Sequence, residues 1–369
     1  MPIIQHLGTA YASGGGANTD PLLAGGGLYF GPYAANGTAL TGYLGPVKAD
    51  LRTYYKSILG WGTWVDDDAF FNTTSTGIQV WNVPESRVYR ITMESPSHHV
   101  GNCTGWKMEF NRAFTSGDRL FILPGHRCSP NTDGNSSYGG NGGTFLVKGN
   151  SSESNLDTDL LNRNVSDVIA ICGGSAKASG AVGNATGPGS HPSGSDLETS
   201  NNYGSGRSLD NYHGFGGAGG PSGGAGFLKG ACQHDASNSN HFVYSDKQDS
   251  TSFLYDADSF VRGGLGGRGY DHTQYNNLSN AMQSNNGMNG SGGFGGGGGQ
   301  SIGNSYSSGA GGMMGGAEND GAQIYPNSFK YTNNADRIGG GSSYIKSGIT
   351  LIVSQASSAT ISYVKIKNN

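Results

Sequence analysis

Charge is scarce in this chain, and so are long apolar runs, cysteine and proline. Of 369 residues only 13% are charged, the net charge is −4 and the pI is near 6.1. No basic run stands out, so a nucleic-acid binder, which works by cationic neutralisation of phosphates, is excluded as the leading reading. No apolar stretch approaches the ~20 residues that cross a bilayer. The opening MPIIQHLGTAYAS lacks a basic region and a full apolar core. The expectation is therefore a product that stays where it is made or leaves by cell lysis or another route. The four cysteines (Cys103, Cys128, Cys172, Cys232) show no CxxC spacing and allow three full pairings. They are expected to be reduced inside a cell and free to oxidise on a particle outside it.

What the chain has is glycine, 67 residues of it. Gly287, Gly290, Gly293, Gly296 and Gly299 share one three-residue register, and Gly214, Gly217, Gly220, Gly223 and Gly226 share another. Shorter versions occur at Gly263, Gly266, Gly269 and at Gly309, Gly312, Gly315. A period of three suits neither an α-helix nor a strand. It suits an extended left-handed helix with three residues per turn and no internal hydrogen bonds. The N–H and C=O groups of such a strut must bond sideways, to neighbouring struts. Collagen is excluded because the runs are short, interrupted and poor in proline. A flexible linker is disfavoured because Phe215, Phe227, Leu265, Phe294, Met313 and Met314 punctuate the runs singly, as residues closing a packed array would. The expectation is that 214–226, 263–269, 287–299 and 309–316 form laterally bonded struts.

Four regions follow. Residues 1–60 are expected to be a small N-terminal attachment module with one helix: Val47, Leu51, Tyr54, Tyr55, Ile58 and Leu59 share a face, and Gly60 stops it. In 61–180, WGTWV, GIQVWNV, RVYRITM, WKMEFNRAF, RLFILPG and TFLVKG read as short strands, and DVIAICGGSA as a buried strand running into glycine. Residues 181–341 are the glycine-rich body with polar loops. Residues 342–369 (SSYIKSG, ITLIVSQA, ATISYVKI) are closing strands that must return to pair with the early ones. The fold class is all-β, a sandwich or jelly roll, interrupted by a polyglycine-II bundle.

The order of these motifs resembles the glycine-rich domain of anaplastic lymphoma kinase and leukocyte tyrosine kinase ectodomains. TGIQVWNVPESRVYRI, GDRLFILPGHR, GGNGGTFLVKG, DVIAICGGSA, GGFGGGGG, GAGGMMGG, GGGSSYI and ISYVKI run in that family's order over about 77–367. The resemblance implies a sandwich related to tumour-necrosis-factor folds, with a bundle of polyglycine helices inserted, and suggests a homotrimer, with a monomer bound singly at a fibre end as the alternative. ESPSHHVGNC stands where the family has its first glycine-rich turn. With no kinase segment here, receptor signalling does not carry over. A looser similarity, of style rather than aligned motif, is to the tip adhesins of T-even-like phage tail fibres.

Enzyme signatures are poor. GPSGG at Gly220–Gly224 satisfies G-x-S-x-G but lies inside a strut rather than between a strand and a helix. Asp66, Asp67 and Asp68 could hold Ca²⁺, yet read better as a solvated acidic turn. His98, His99, Cys103, His126 and Cys128 match no zinc spacing. No pair of carboxylates marks a glycan hydrolase. Nine N-x-S/T sequons, among them Asn72, Asn135, Asn150 and Asn277, follow from abundant Asn, Ser and Thr.

The informative chemistry lies in three loops between struts: 191–213, 233–259 and 270–289. They are rich in Tyr, Asn, Ser and His, the palette of paratopes, where Tyr gives rigid amphipathic area and Ser and Asn adaptable hydrogen bonds. Candidate receptor-binding residues are Tyr203, Tyr212, His213, His241, Tyr244, Tyr255, Tyr270, His272 and Tyr275. No cofactor, metal or catalytic residue is expected. The expected role is a virion structural and adhesive protein, a phage tail-fibre or tail-tip receptor-binding subunit. Its partners would be other tail proteins, through the N-terminal module, and a host surface glycan or protein. The alternatives are a non-receptor-binding fibre or decoration protein and a secreted cellular adhesin or ligand module.

Overall fold

The structure, a computed structural model, describes residues 27–98, 104–129, 139–175, 224–228, 230, 232–234, 242–244, 257–267, 270–271, 292–299, 301–302, 310–313, 341 and 343–369. It is mostly β, with two antiparallel sheets facing each other and few helices. The first sheet has the order β1-β15-β4-β5-β14, from β1 (Leu28–Phe30), β4 (Arg87–Glu94), β5 (Gly105–Phe114), β14 (Leu351–Ser357) and β15 (Tyr363–Asn368). The second has the order β13-β8-β7-β6-β3-β2, from β2 (Phe71–Thr73), β3 (Gln79–Asn82), β6 (Arg119–Leu123), β7 (Thr144–Lys148), β8 (Val168–Cys172) and β13 (Tyr344–Ile345). The closing strands return as the sequence requires: β15 pairs with β4, β14 with β5, and β13 with β8. Among the described residues no helix is long and apolar enough to cross a membrane.

The alternation in RVYRITM puts Tyr89, Ile91 and Met93 into the core between the sheets, against Trp81, Leu120, Ile122 and Leu146. VIAIC does not alternate, and all five of its residues are buried. The reason is a second core on the far face of the six-stranded sheet. There Val80, Phe121, Phe145, Val147 and Ile171 meet Phe227, Phe260, Phe294 and Met313 from the glycine-rich body. Strands buried on both faces read as continuous apolar runs. The Phe260 ring lies between those of Phe145 and Phe227, at 4.8 Å and 5.4 Å. Three of the punctuating residues, Phe227, Phe294 and Met313, thus plug the body onto the sheet, and Leu265 is half-buried beside them. Phe215 and Met314 lie outside the described residues.

Two local readings are corrected. WGTWV is not a strand: Thr63–Asp66 is a 3-10 turn following Gly62, whose φ of +74° breaks an extended run. The predicted Val47–Leu59 helix is α1, Lys48–Ser57. A second short helix, α2 (Leu156–Leu161), carries no sequence periodicity; its Asn155 cap accepts from the N–H of Asp157 and Thr158. The described part of residues 1–60 is also built into the sandwich rather than set apart from it. β1 pairs with β15, and Leu51, Tyr54 and Tyr55 of α1 belong to the main core.

On α2, fully buried Asp159 binds Arg119 at 2.8 Å and Arg163 at 3.1 Å and accepts from the Asn150 N–H. Among the described residues, Asp159→Ala would leave nearly buried Arg119 with the backbone carbonyls of Asn150 and Glu153 as its only partners and Arg163 with Asp167 as its only carboxylate. It is expected to lower the unfolding free energy by about 3 kcal/mol, read from urea titration; a loss under about 1 kcal/mol would show that water replaces the carboxylate.

Candidate functional site

β6 ends, β7 begins, β8 ends and β13 begins at the same end of the six-stranded sheet, because neighbours there are antiparallel. From that end the chain runs on as the segments 124–128, 139–143 and 173–175 and enters through Gly341 and Ser343, and other struts pack among them. Bonding is lateral and changes partner at each residue. Gly140 donates to Gly298, Asn141 to Ser175, Gly142 to His126 and Gly143 to Gly295, at 2.9–3.0 Å. Gly140 and Gly143, three residues apart, return to the same neighbouring segment, as three residues per turn demand. Gly311 N–H donates to Asn141 O, Gly174 to Gly311 and Gly341 to Gly174. Of the predicted struts the structure describes 224–226, 263–267, 292–299 and 310–313, and all join this lattice except Gly263, which ends a 3-10 turn with its N–H on Phe260 O. Gly226, Gly293, Gly296 and Gly299 are buried in it. Gly214, Gly217, Gly220, Gly223, Gly287 and Gly290 lie outside the described residues.

One part of the expectation fails. The 287–299 run is not a single strut: Gly295 and Gly296 have φ of +103° and +83°, and the Gly297 N–H turns back to Gly293 O at 2.9 Å. The segment enters to Phe294, which is anchored in the second core, and leaves again. Only glycine adopts such consecutive positive φ values freely. The sequence also gives no sign that residues without a glycine register serve as struts. Gly42 donates to Arg127 O at 2.8 Å, Phe294 to Gly42 O at 2.8 Å and Gly266 to Tyr43 O at 3.0 Å, so the 41–45 segment, though bent at Gly42 with its φ of +87°, is bonded into the lattice as well.

The lattice has a sheet-side end, marked by Phe227, Phe294 and Met313, and an opposite end. At the opposite end the chain leaves the described lattice at Ser129, Ser175, Gly267 and Gly299. It re-enters there at Gly139, Gly224, Gly292, Ala310 and Gly341. The loop 191–213 is therefore rooted at Ser175 and Gly224, and 270–289 at Gly267 and Gly292. Beyond those roots β11 (Tyr270–Asp271) pairs in parallel with β12 (Ser301–Ile302). The loop 233–259 differs. It leaves from the sheet-side end after Leu228, passes through the hairpin of β9 (Cys232–His234) and β10 (Phe242–Tyr244), and returns at Ala257 beside Ala225. Tyr244 lies in β10 and Tyr270 in β11. Tyr203, Tyr212, His213, His241, Tyr255, His272 and Tyr275 lie outside the described residues.

The other candidates have local partners. Asp66 pairs with Lys56 at 2.9 Å, and Asp68 pairs with Arg52 and with Lys48 at 3.2 Å, so the acidic turn is matched to the basic face of α1. The Arg52 guanidinium holds the Asp68 carboxyl below its usual range. At the outer end of the lattice, buried His98 places Nε2 3.4 Å from Cys128 Sγ and 3.2 Å from Gly139 O. Burial pushes the Cys128 thiol up to about 12, which keeps it protonated and unreactive. Among the described residues no three His, Cys, Asp or Glu side chains gather to hold a metal. His126 sits mid-lattice, fully buried, its ring 5.1 Å from that of Phe294.

No known family model matches this chain, and neither does any curated protein sequence.

Proposed function

We propose that this chain is an adhesive structural protein of a virus particle, a phage tail-fibre or tail-tip receptor-binding subunit, assembled in the host cytoplasm. In this reading a sandwich of the jelly-roll, tumour-necrosis-factor type carries a polyglycine-II lattice, and the lattice presents loops to a host surface glycan or protein. The observation that supports it most is topological. Four stretches without assigned strut structure, two of them containing Tyr- and Asn-rich loops, both begin and end on one face of a hydrogen-bonded lattice. Loops gathered at one end of a rigid scaffold are the usual arrangement of a recognition surface. Residues 1–60 would attach the chain to other tail proteins. The resemblance to trimeric sandwiches leads us to propose a homotrimer, which light scattering at micromolar concentration checks; a chain that stays monomeric would remove it.

The loops are tested by truncation and by grafting. Tyr212→Ala, Tyr270→Ala and Tyr275→Ala are each expected to weaken binding to host cells by about 1–3 kcal/mol, as aromatic anchors do, with unchanged melting temperature. Grafting the three loops from a relative with another host should transfer host choice. Folded protein lacking the loops that binds cells as well as the parent would overturn the receptor surface. It would favour a decoration protein instead.

A further inference from the structure

Among the described residues the two cores lie between the sheets and on the far face of the six-stranded sheet, and the outer face of the five-stranded sheet belongs to neither. Strand alternation places Tyr29, Tyr363, Lys365 and Lys367, Arg90 and Thr92, and Lys107 and Glu109 on it, and the registers set them side by side: Tyr29 opposite Lys365, Lys365 opposite Thr92, Lys367 opposite Arg90, Thr92 opposite Glu109. Four cations thus share about three strand widths, roughly 15 Å. Of the two acids, Glu109 is bound to Arg90, and Glu94 is buried and hydrogen-bonded to Ser357. Among the described residues Lys365, Lys367 and Lys107 form no ion pair. The rings of Tyr29 and Tyr363 stack at 5.0 Å on the same side.

We infer that this face binds an anionic polysaccharide, with Lys365, Lys367 and Lys107 holding its carboxylate or sulfate groups and the Tyr29–Tyr363 pair lying against a sugar ring. Like charges two residues apart on one strand repel unless an anion lies between them. Burial first, and then the Lys367 charge, lower the Lys365 pKa from its usual value, while Glu109 opposes. A bound anion would relieve that frustration. The aromatic pair favours a sugar chain over a bare phosphate backbone, because it offers an amphipathic platform beside the cations. This site uses none of the loop residues proposed above.

The test uses the full chain and two probes, polygalacturonate and heparin, with duplex DNA, phosphatidylserine vesicles and neutral dextran as comparisons. Both acidic polysaccharides should bind, more weakly as salt rises, and dextran should not. Lys365→Gln/Lys367→Gln removes two charge-assisted contacts and should weaken binding at least about tenfold, with the same melting temperature. Lys365→Arg/Lys367→Arg should bind as the parent does. Tyr363→Leu should weaken polygalacturonate binding but leave any attraction to DNA unchanged. The proposal is overturned if neither polysaccharide binds, or if DNA or vesicles bind as tightly and respond alike to every variant. It is overturned too if loop deletion abolishes the binding, or if the lysine changes instead dissolve an oligomer, making a second copy the occupant.

Discussion

Gly142→Ala is expected to lower the unfolding free energy by about 4 kcal/mol or more, which places it among the severe single substitutions. A Cβ built on Gly142 would overlap the carbonyl of Phe294, and one on Gly311 would overlap that of Gly295. One on Gly293 would meet the His126 carbonyl oxygen and the Gly142 nitrogen. These neighbours are backbone atoms of other struts, each held by its own lateral hydrogen bonds, so none can swing aside as a side chain would. Moving a strut breaks several bonds, and buried backbone groups left unpaired each cost about 1–3 kcal/mol. Gly293→Val adds two methyl groups to the same clash and should not yield folded protein. Gly348 supplies the control. Its φ is +81°, but an added Cβ meets nothing within 4 Å, so Gly348→Ala carries only the left-handed penalty of about 1–2 kcal/mol. Urea titration of Gly142→Ala, Gly311→Ala and Gly348→Ala decides it. Equal midpoints for all three would mean that the close-packed lattice does not carry the stability of the fold.

That contrast shows what could be read from the chain and what could not. The β4 and β5 segments were legible because Tyr89, Ile91 and Met93 alternate with exposed or half-buried neighbours, and a two-residue period has one physical cause. β8 was legible as an apolar run, but the reason for the run, a second core capped by Phe260 and Phe294, lies more than 80 residues away in sequence. β1 was missed because three residues carry no period and their partner is the last strand. The glycine register disclosed lateral bonding, yet it could not place the turn at Gly295, since every glycine in a run looks alike. Nor could it recruit Asn141, His126 or Tyr43, whose side chains hide that their backbones bond into the lattice. For the site, composition picked out the loops, but only strand order shows that 191–213 and 270–289 are rooted on one face. That the 233–259 loop departs from the opposite end depends on the direction in which Gly224–Leu228 runs, and no local pattern encodes direction.

His126 leads to the second large effect, a loss of stability in mild acid. Both ring nitrogens lack a partner in hydrogen-bond geometry. Burial lowers the pKa from 6.5 to about 3, with the Gly42 backbone opposing a little. A proton therefore binds the unfolded chain far more readily than the folded one. Above about pH 6.5 both states hold a neutral ring and the residue contributes no pH dependence. As pH falls below that value the unfolded state gains protons that the folded state refuses, so stability drops continuously towards pH 3 and levels off beneath it. The drop has a ceiling of about 4–5 kcal/mol, reduced if the lattice opens locally to hydrate the ring. Unfolding free energy measured by urea between pH 7.5 and 3.5 should show this limb. His126→Phe keeps a ring against Phe294 and has no site to protonate. It should flatten the same limb and raise stability near pH 4 relative to the parent. Carboxylates elsewhere contribute an acid limb of their own, which the variant retains, so the difference between the two curves isolates the histidine. Parallel curves would mean that His126 is hydrated in the folded protein, and that the lattice around it admits water.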